Sequence, residues 1–316
     1  MSLLKPIKIG NIALKNNLIL APMAGYTDLP FRRIAFECGC GLAPSEMVSV
    51  KGLIYNNVKT NNLMAIHDIE SPSCVQLFGS NPDDFARVAG DGLLEKFDIV
   101  DINMGCPMPK ITKNGDGSAL MSDRTRASAI VSTLVKSGVI TTAKVRLGID
   151  DNMGALDFCK SLEEAGVSAI TVHGRTAKQL YTGVADWESI GKIASKMKIP
   201  ILGNGDVSED NALERLNIYP IAGLMIGRNA LSNPEIFNQL ANSTTHTARN
   251  LQNIILRHIE YSKEYYENEQ FIVHKLRKHF AYYLRNIDAT KQTKLQILRA
   301  NSLMEIKNAI ESIGIY

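Results

Sequence analysis

Cysteine is scarce in this chain and poorly spaced for any scaffold. Five occur in 316 residues, at Cys38, Cys40, Cys74, Cys106 and Cys159. None forms a Cys-x-x-Cys pair or stands near histidine at zinc-like spacing. A disulfide framework, an iron–sulfur cluster and a structural zinc are therefore not expected, and no metal site is read from the sequence. Apolar residues make up 45% of the chain, yet none of their runs approaches the ~18 residues a membrane-spanning helix needs. Met1-Ser2-Leu3-Leu4-Lys5-Pro6 lacks the apolar stretch and cleavage site of a secretory signal, so a cytoplasmic protein is expected. Acidic and basic residues nearly balance, with a net charge of +3. The balance is uneven along the chain. Residues 241–316 carry 11 Lys and Arg against 7 Asp and Glu, leaving 24 against 25 for residues 1–240. The excess positive charge sits in the last quarter, with four of the six histidines.

What is present is a repeated unit. Short apolar runs at 18–21, 42–46, 74–78, 99–103, 142–145, 169–172, 199–202 and 223–226 alternate with segments of helical spacing such as 83–94, 125–135, 153–165 and 209–216. Continuous apolar strands alternating with amphipathic helices indicate a parallel sheet covered by helices. Eight such units predict an α/β fold of the (β/α)8 TIM-barrel class over residues 1–240. The alternative, an open doubly wound sheet, would carry a nucleotide loop after its first strand. Here that strand ends Ala21-Pro22-Met23-Ala24-Gly25 without a G-x-G-x-x-G pattern. Beyond residue 240 strand signals stop. Leu251, Ile254, Ile255 and Ile259 trace one helix face, and Ile272, Leu276, Phe280 and Tyr283 another, so 245–316 reads as a small helical bundle. Its Lys275, Arg277, Lys278 and Arg285 form either a solvated helix face or a phosphate-contacting surface for nucleic acid.

In a barrel of this class the chemistry gathers at the C-terminal ends of the strands. Those ends offer Gln76, Asn103 with Cys106 just beyond, Lys144 and Arg146, His173 and Arg175, Gly203-Asn204-Gly205-Asp206, and Gly227-Arg228. Glycines after strands seven and eight let backbone N–H groups approach an anion, and Arg228 can neutralise it, so a phosphate is expected there. A cation such as Lys144 and an amide such as Gln76 are what a flavin ring requires at its pyrimidine edge. Lys144 could instead form a Schiff base, and His173 could be a core histidine. Cys106 lies in a turn at the pocket mouth; a thiol with an ordinary pKa of ~8.5 is mostly protonated at neutral pH and can donate. The other four cysteines read as small apolar fillers. Residues 113–118, with two glycines, read as a mobile lid.

Taken together, these motifs resemble the tRNA-dihydrouridine synthase family along nearly the whole chain. The resemblance rests on Ala21-Pro22-Met23-Ala24-Gly25-Tyr26-Thr27-Asp28, Val75-Gln76-Leu77-Phe78-Gly79, Asp101-Ile102-Asn103-Met104-Gly105-Cys106-Pro107, Lys144-Val145-Arg146, Val172-His173-Gly174-Arg175-Thr176 and Gly203-Asn204-Gly205-Asp206. Arg277-Lys278-His279 with Tyr283 is similar to the bacterial B-type branch, from which Met108-Pro109-Lys110 departs. The resemblance implies an FMN enzyme that reduces the C5–C6 bond of tRNA uridines, with NADPH or NADH as reductant. It implies that Pro22, Met23, Ala24, Gln76, Lys144, His173, Asn204, Gly205, Asp206, Gly227 and Arg228 surround the flavin. It further implies Cys106 as proton donor, with Asn103, Arg175, Lys275, Arg277, Lys278 and Arg285 facing the RNA. A monomer is expected. A small-molecule flavin oxidoreductase of the dihydroorotate dehydrogenase or ene-reductase type is the competing enzyme, and a non-catalytic tRNA-binding protein the competing binder.

Overall fold

A computed structural model describes residues 4–242, 248–286 and 289–313. Eight parallel strands form its centre: β3 (Leu18–Leu20), β4 (Met47–Ser49), β5 (Cys74–Phe78), β6 (Ile99–Met104), β7 (Thr141–Arg146), β8 (Ala169–His173), β9 (Ile201–Asn204) and β10 (Gly223–Ile226). They pair in the order β3-β10-β9-β8-β7-β6-β5-β4. Closure comes from the Ile19–Leu42 bridge, where Leu20 N donates to Leu42 O at 2.9 Å. The result is the expected (β/α)8 barrel. Its second strand differs in position from the sequence reading, beginning at Met47. Pro44 in the expected stretch has no N–H to give a ladder, so only Leu42 bridges β3.

Two short strands that the periodicity did not reveal precede the barrel. β1 (Ile7–Ile9) and β2 (Ile12–Leu14) form an antiparallel hairpin. Ile7, Ile9 and Leu14 pack in one cluster with Ile19, Leu42, Cys74, Ile99, Ala169 and Met225, closing the N-terminal end of the barrel. Burying each such side chain contributes about 1.5–3 kcal/mol.

Register then sets the level of the opposite end. Gln76 pairs with Asp101, Asn103 with Lys144, Arg146 with His173, and His173 with Asn204. The late strand residues thus form a polar layer around one ring, above the apolar one.

Four helices follow: Ala248–Tyr265, Glu269–Tyr283, Lys291–Arg299 and Leu303–Glu311. Both expected apolar faces are buried; all their residues but Ile254 join the cluster that includes the barrel helices, and Ile254 packs with Ile34 and Cys38. The first of these helices lies along the barrel helix Leu29–Glu37. Arg33 stacks on Tyr261 at 3.5 Å, and Arg257 pairs with Glu37 at 2.5 Å. The expected divide between 240 and 245, and the final residue of the chain, lie mostly or wholly outside the described residues.

Candidate active site

A cavity of about 880 Å³ opens at the C-terminal ends of the strands. All eleven residues assigned to the flavin from the sequence line it, as do Asn103, Cys106 and Arg285. The separate loops converge because the strands that launch them close into a ring.

Its floor is a chain of polar side chains. Thr142 Oγ1 donates to Asp101 Oδ1 at 2.6 Å, and Gln76 Nε2 to Asp101 Oδ2 at 2.7 Å. Asn103 Nδ2 donates to Gln76 Oε1 at 2.9 Å, and Cys106 N to Asn103 Oδ1 at 2.9 Å. An ionised carboxylate only accepts, so Asp101 fixes which way both amides face and leaves each a second N–H. Burial raises the Asp101 pKa above the usual carboxylate value, opposed by the bonds from Gln76 and Thr142. Asp101 escaped the sequence reading. Its signal was there: polar residues at 101 and 103, two apart in an apolar strand, share the inward face.

Lys144 stands beside this chain. Burial, helped by Arg146, pulls its ammonium pKa down to about 8, while Asp101 and Cys106 act to raise it. His173 is held neutral by burial first and then by the charges of Lys144, Arg146, Arg175 and Arg228. A neutral ring can accept or donate towards the cavity. Arg146 serves as a brace: Nε donates to Gly105 O at 2.8 Å, and Nη1 to Thr176 O at 2.7 Å and Leu180 O at 2.9 Å.

The glycine-bearing loops after β9 and β10 are neighbours, since Asn204 and Met225 are paired. Gly205 has φ +119, and a Cβ there would lie 2.7 Å from Ala185 Cβ and 3.0 Å from the His173 ring. Only glycine fits. Asp206 accepts a two-pronged contact from Arg175, at 3.0 and 2.7 Å, and another from Arg228 at 3.2 Å. Burial works to raise its pKa, but Arg175, Ala185 N and Arg228 hold it below the usual carboxylate value. Asp206 therefore orients two arginines. Arg228 is 47% exposed and remains available to an anion.

Cys106 is half-buried, whereas the other four cysteines are buried. Burial pushes Cys38, Cys40 and Cys159 up to about 12, which makes them inert, and raises Cys74 as well. The turn that presents Cys106 is held at both ends, by Asn103 from below and by Ser118 N donating to Cys106 O at 3.0 Å. Of the stretch 113–118, expected to be a mobile lid, Asp116, Gly117 and Ser118 are buried and buttress the cysteine turn, while Lys113 and Asn114 are exposed.

Three residues expected to face substrate do not. Arg175, 2% exposed, is committed to Asp206 and to the carbonyls of Thr182 and Gly183. Lys275 turns inward to Asp28 at 3.0 Å and Glu46 at 3.9 Å. Arg277 donates to Ala300 O at 2.7 Å. Lys278 is exposed, with its ammonium over the Gly25 turn, and Arg285 is exposed on the cavity rim beside Tyr282. Tyr181 and Tyr26 also line the cavity; neither sits in a strand-end position that would have singled it out.

A closed parallel barrel with a polar cavity at its C-terminal mouth, floored by fixed amides and a half-buried lysine, has the layout of a barrel enzyme. The family model described as "Dihydrouridine synthase (Dus)" matches residues 19–313. The chain belongs to the dihydrouridine synthase family. It is 36% identical to tRNA-dihydrouridine synthase B of Pasteurella multocida, over 89% of this chain and 87% of that one. It is also 36% identical to tRNA-dihydrouridine synthase B of Pseudomonas aeruginosa, over 93% and 91%. The same identity, over 96% and 95%, holds for a probable tRNA-dihydrouridine synthase of Rickettsia conorii. The barrel resembles an old yellow enzyme homologue from Zymomonas mobilis at 14% identity, TM-score 0.57, over 78% and 94% of the two chains. It also resembles morphinone reductase at 12% identity, TM-score 0.55, over 78% and 92%.

Proposed function

We propose that the chain is a tRNA-dihydrouridine synthase that uses FMN and a nicotinamide dinucleotide, NADPH or NADH, to reduce uridines in tRNA. The observation that carries the reading is the shared cavity. Gln76, Lys144 and Asn103 meet Cys106 at one end, and Gly205, Gly227 and Arg228 meet at the other. The donor set suits a flavin: Lys144 for the electron-rich ring edge, the spare N–H of Gln76 for a ring carbonyl, and Arg228 with the glycine loops for a phosphate. A Cβ on Gly227 would touch only Ala21 Cβ and Met23 Sδ, each at 3.7 Å, so that wall is open to a ligand. Pro22, Met23 and Ala24 supply an apolar side.

When bound, the flavin supplies the hydride that adds to C6 of the uracil. Asn103 offers its free N–H to a uracil carbonyl, and Cys106 holds the proton that C5 receives, so that hydride and proton together saturate the double bond. A stacked uridine cannot reach the barrel mouth, so the base must be extruded. Exposed Arg285 and Lys278 at the rim bind its backbone, which positions the RNA without reading sequence. A tRNA substrate places this work in the cytoplasm.

These rim cations on the tail favour RNA over a small enone as substrate. The test compares NADPH oxidation by the flavin-loaded chain with unmodified tRNA and with cyclohexenone. Turnover with tRNA supports the reading; turnover with the enone alone overturns it. Removing the tail is a poor discriminator, because its apolar faces complete the barrel's outer core.

A further inference from the structure

Three side chains outside the cavity meet where the tail joins the barrel. Asp28 caps the helix Leu29–Glu37, accepting from Phe31 N at 3.3 Å. His258 comes from the first tail helix and His279 from the second. They are 6%, 1% and 1% exposed. One donor atom from each lies within 4.8 Å of the others. Some point therefore lies within about 2.8 Å of all three, against about 2.0–2.2 Å for zinc–nitrogen and zinc–oxygen bonds, a gap that small side-chain rotations close.

The second observation is His279 itself. Neither ring nitrogen has a hydrogen-bond partner among the described residues, although buried polar groups are almost always paired. Its ring meets His258 edge-on, centroids 4.6 Å apart, and His258 Nδ1 shares a hydrogen bond with Tyr283 OH at 3.0 Å, which fixes that ring's plane. Asp28 Oδ2 takes Lys275 Nζ and, at 2.8 Å, Tyr266 OH. Among the described residues, Oδ1 carries only the cap bond.

We infer that Asp28, His258 and His279 bind one divalent transition-metal ion, zinc by donor set, which pins the tail to the barrel. Two imidazole nitrogens and a carboxylate oxygen suit zinc, whereas calcium and magnesium prefer all-oxygen cages. No spacing rule reaches the site, because its ligands lie at 28, 258 and 279. The ion would also steady the cavity mouth, since the Tyr26 ring lies 5.6 Å from His279 and 5.5 Å from Tyr282.

The test uses the untagged, flavin-loaded full chain, stripped with chelator and re-equilibrated with zinc alone. Elemental analysis and calorimetry then give stoichiometry and affinity. The expected result is one zinc per chain, with His279→Gln and Asp28→Asn each weakening binding by about 10- to 100-fold. Less than a tenth of an equivalent on the wild-type chain overturns the proposal, as does unchanged affinity in both variants. Should the variants not fold, the wild-type stoichiometry decides alone.

Discussion

Replacing Lys144 by Met should make the flavin-free protein more stable and the enzyme inactive. Met keeps the length of the apolar stem and removes the ammonium. In the native state burial depresses the Lys144 pKa to about 8, against ~10.4 in an unfolded chain. Each unit is worth 1.36 kcal/mol, so keeping the charge in place costs about 3 kcal/mol wherever both states are protonated. That cost is complete below pH 8. It fades as pH rises from the native value towards the unfolded one, because above both values neither state is charged. Lys144→Met should therefore raise the melting temperature of the flavin-free chain by roughly 6–9 °C at pH 7, at about 2–3 °C per kcal/mol for a protein this large. The advantage should shrink between pH 8 and pH 10. Flavin affinity and turnover should fall together, since the cation serves the bound ring. Scanning calorimetry across that pH range reads the effect. A melting temperature at or below the wild type at pH 7, or a gain that grows with pH, would refute the reasoning.

Four further outcomes follow. Cys106→Ala should retain flavin colour and tRNA binding while turnover drops about 10²- to 10⁴-fold, the range for losing a general acid; stopped-flow reoxidation with tRNA measures it. Asp101→Asn should preserve the amide chain, its oxygen facing Gln76 and its nitrogen facing Thr142, but it removes the anion that supports Lys144. Activity should then decline at a pH about one unit lower than in the wild type, the equivalent of ~1.4 kcal/mol, and an unmoved alkaline limb would argue against that coupling. Lys278→Ala should weaken tRNA binding and reduce the slope of log affinity against log salt by about one. Lys275→Ala, by contrast, should lower the melting temperature, because Asp28 and Glu46 lose their buried counter-charge.

The barrel was legible because a parallel strand buried on both faces must be apolar throughout, and eight such runs stand out. β1 and β2 are three residues each, too short for periodicity, and β4 was displaced because Pro44 was not weighed against the ladder. The cavity residues were readable from one rule, that side chains at strand ends converge. What the rule lacks is direction of use. It placed Arg175 correctly at a strand end, but nothing in the sequence says that Asp206 and two carbonyls claim its guanidinium. Likewise the tail's positive charge is visible in composition, whereas its division into outward Lys278 and Arg285 and inward Lys275 and Arg277 depends on helix phase against a partner surface. Residues 113–118 looked mobile for their glycines; Gly117 is there because a Cβ would meet Cys106 O at 2.7 Å.

The most direct measurement incubates the purified flavin-loaded chain with NADPH and an unmodified tRNA transcript, then digests the RNA and maps uridines by mass spectrometry. Dihydrouridine at a defined position, formed by the wild type and nearly absent with Cys106→Ala, is the predicted result. NADPH oxidation that leaves every uridine unreduced, or equal dihydrouridine from the Cys106→Ala chain, would contradict the account of a flavin and a thiol acting on one extruded base.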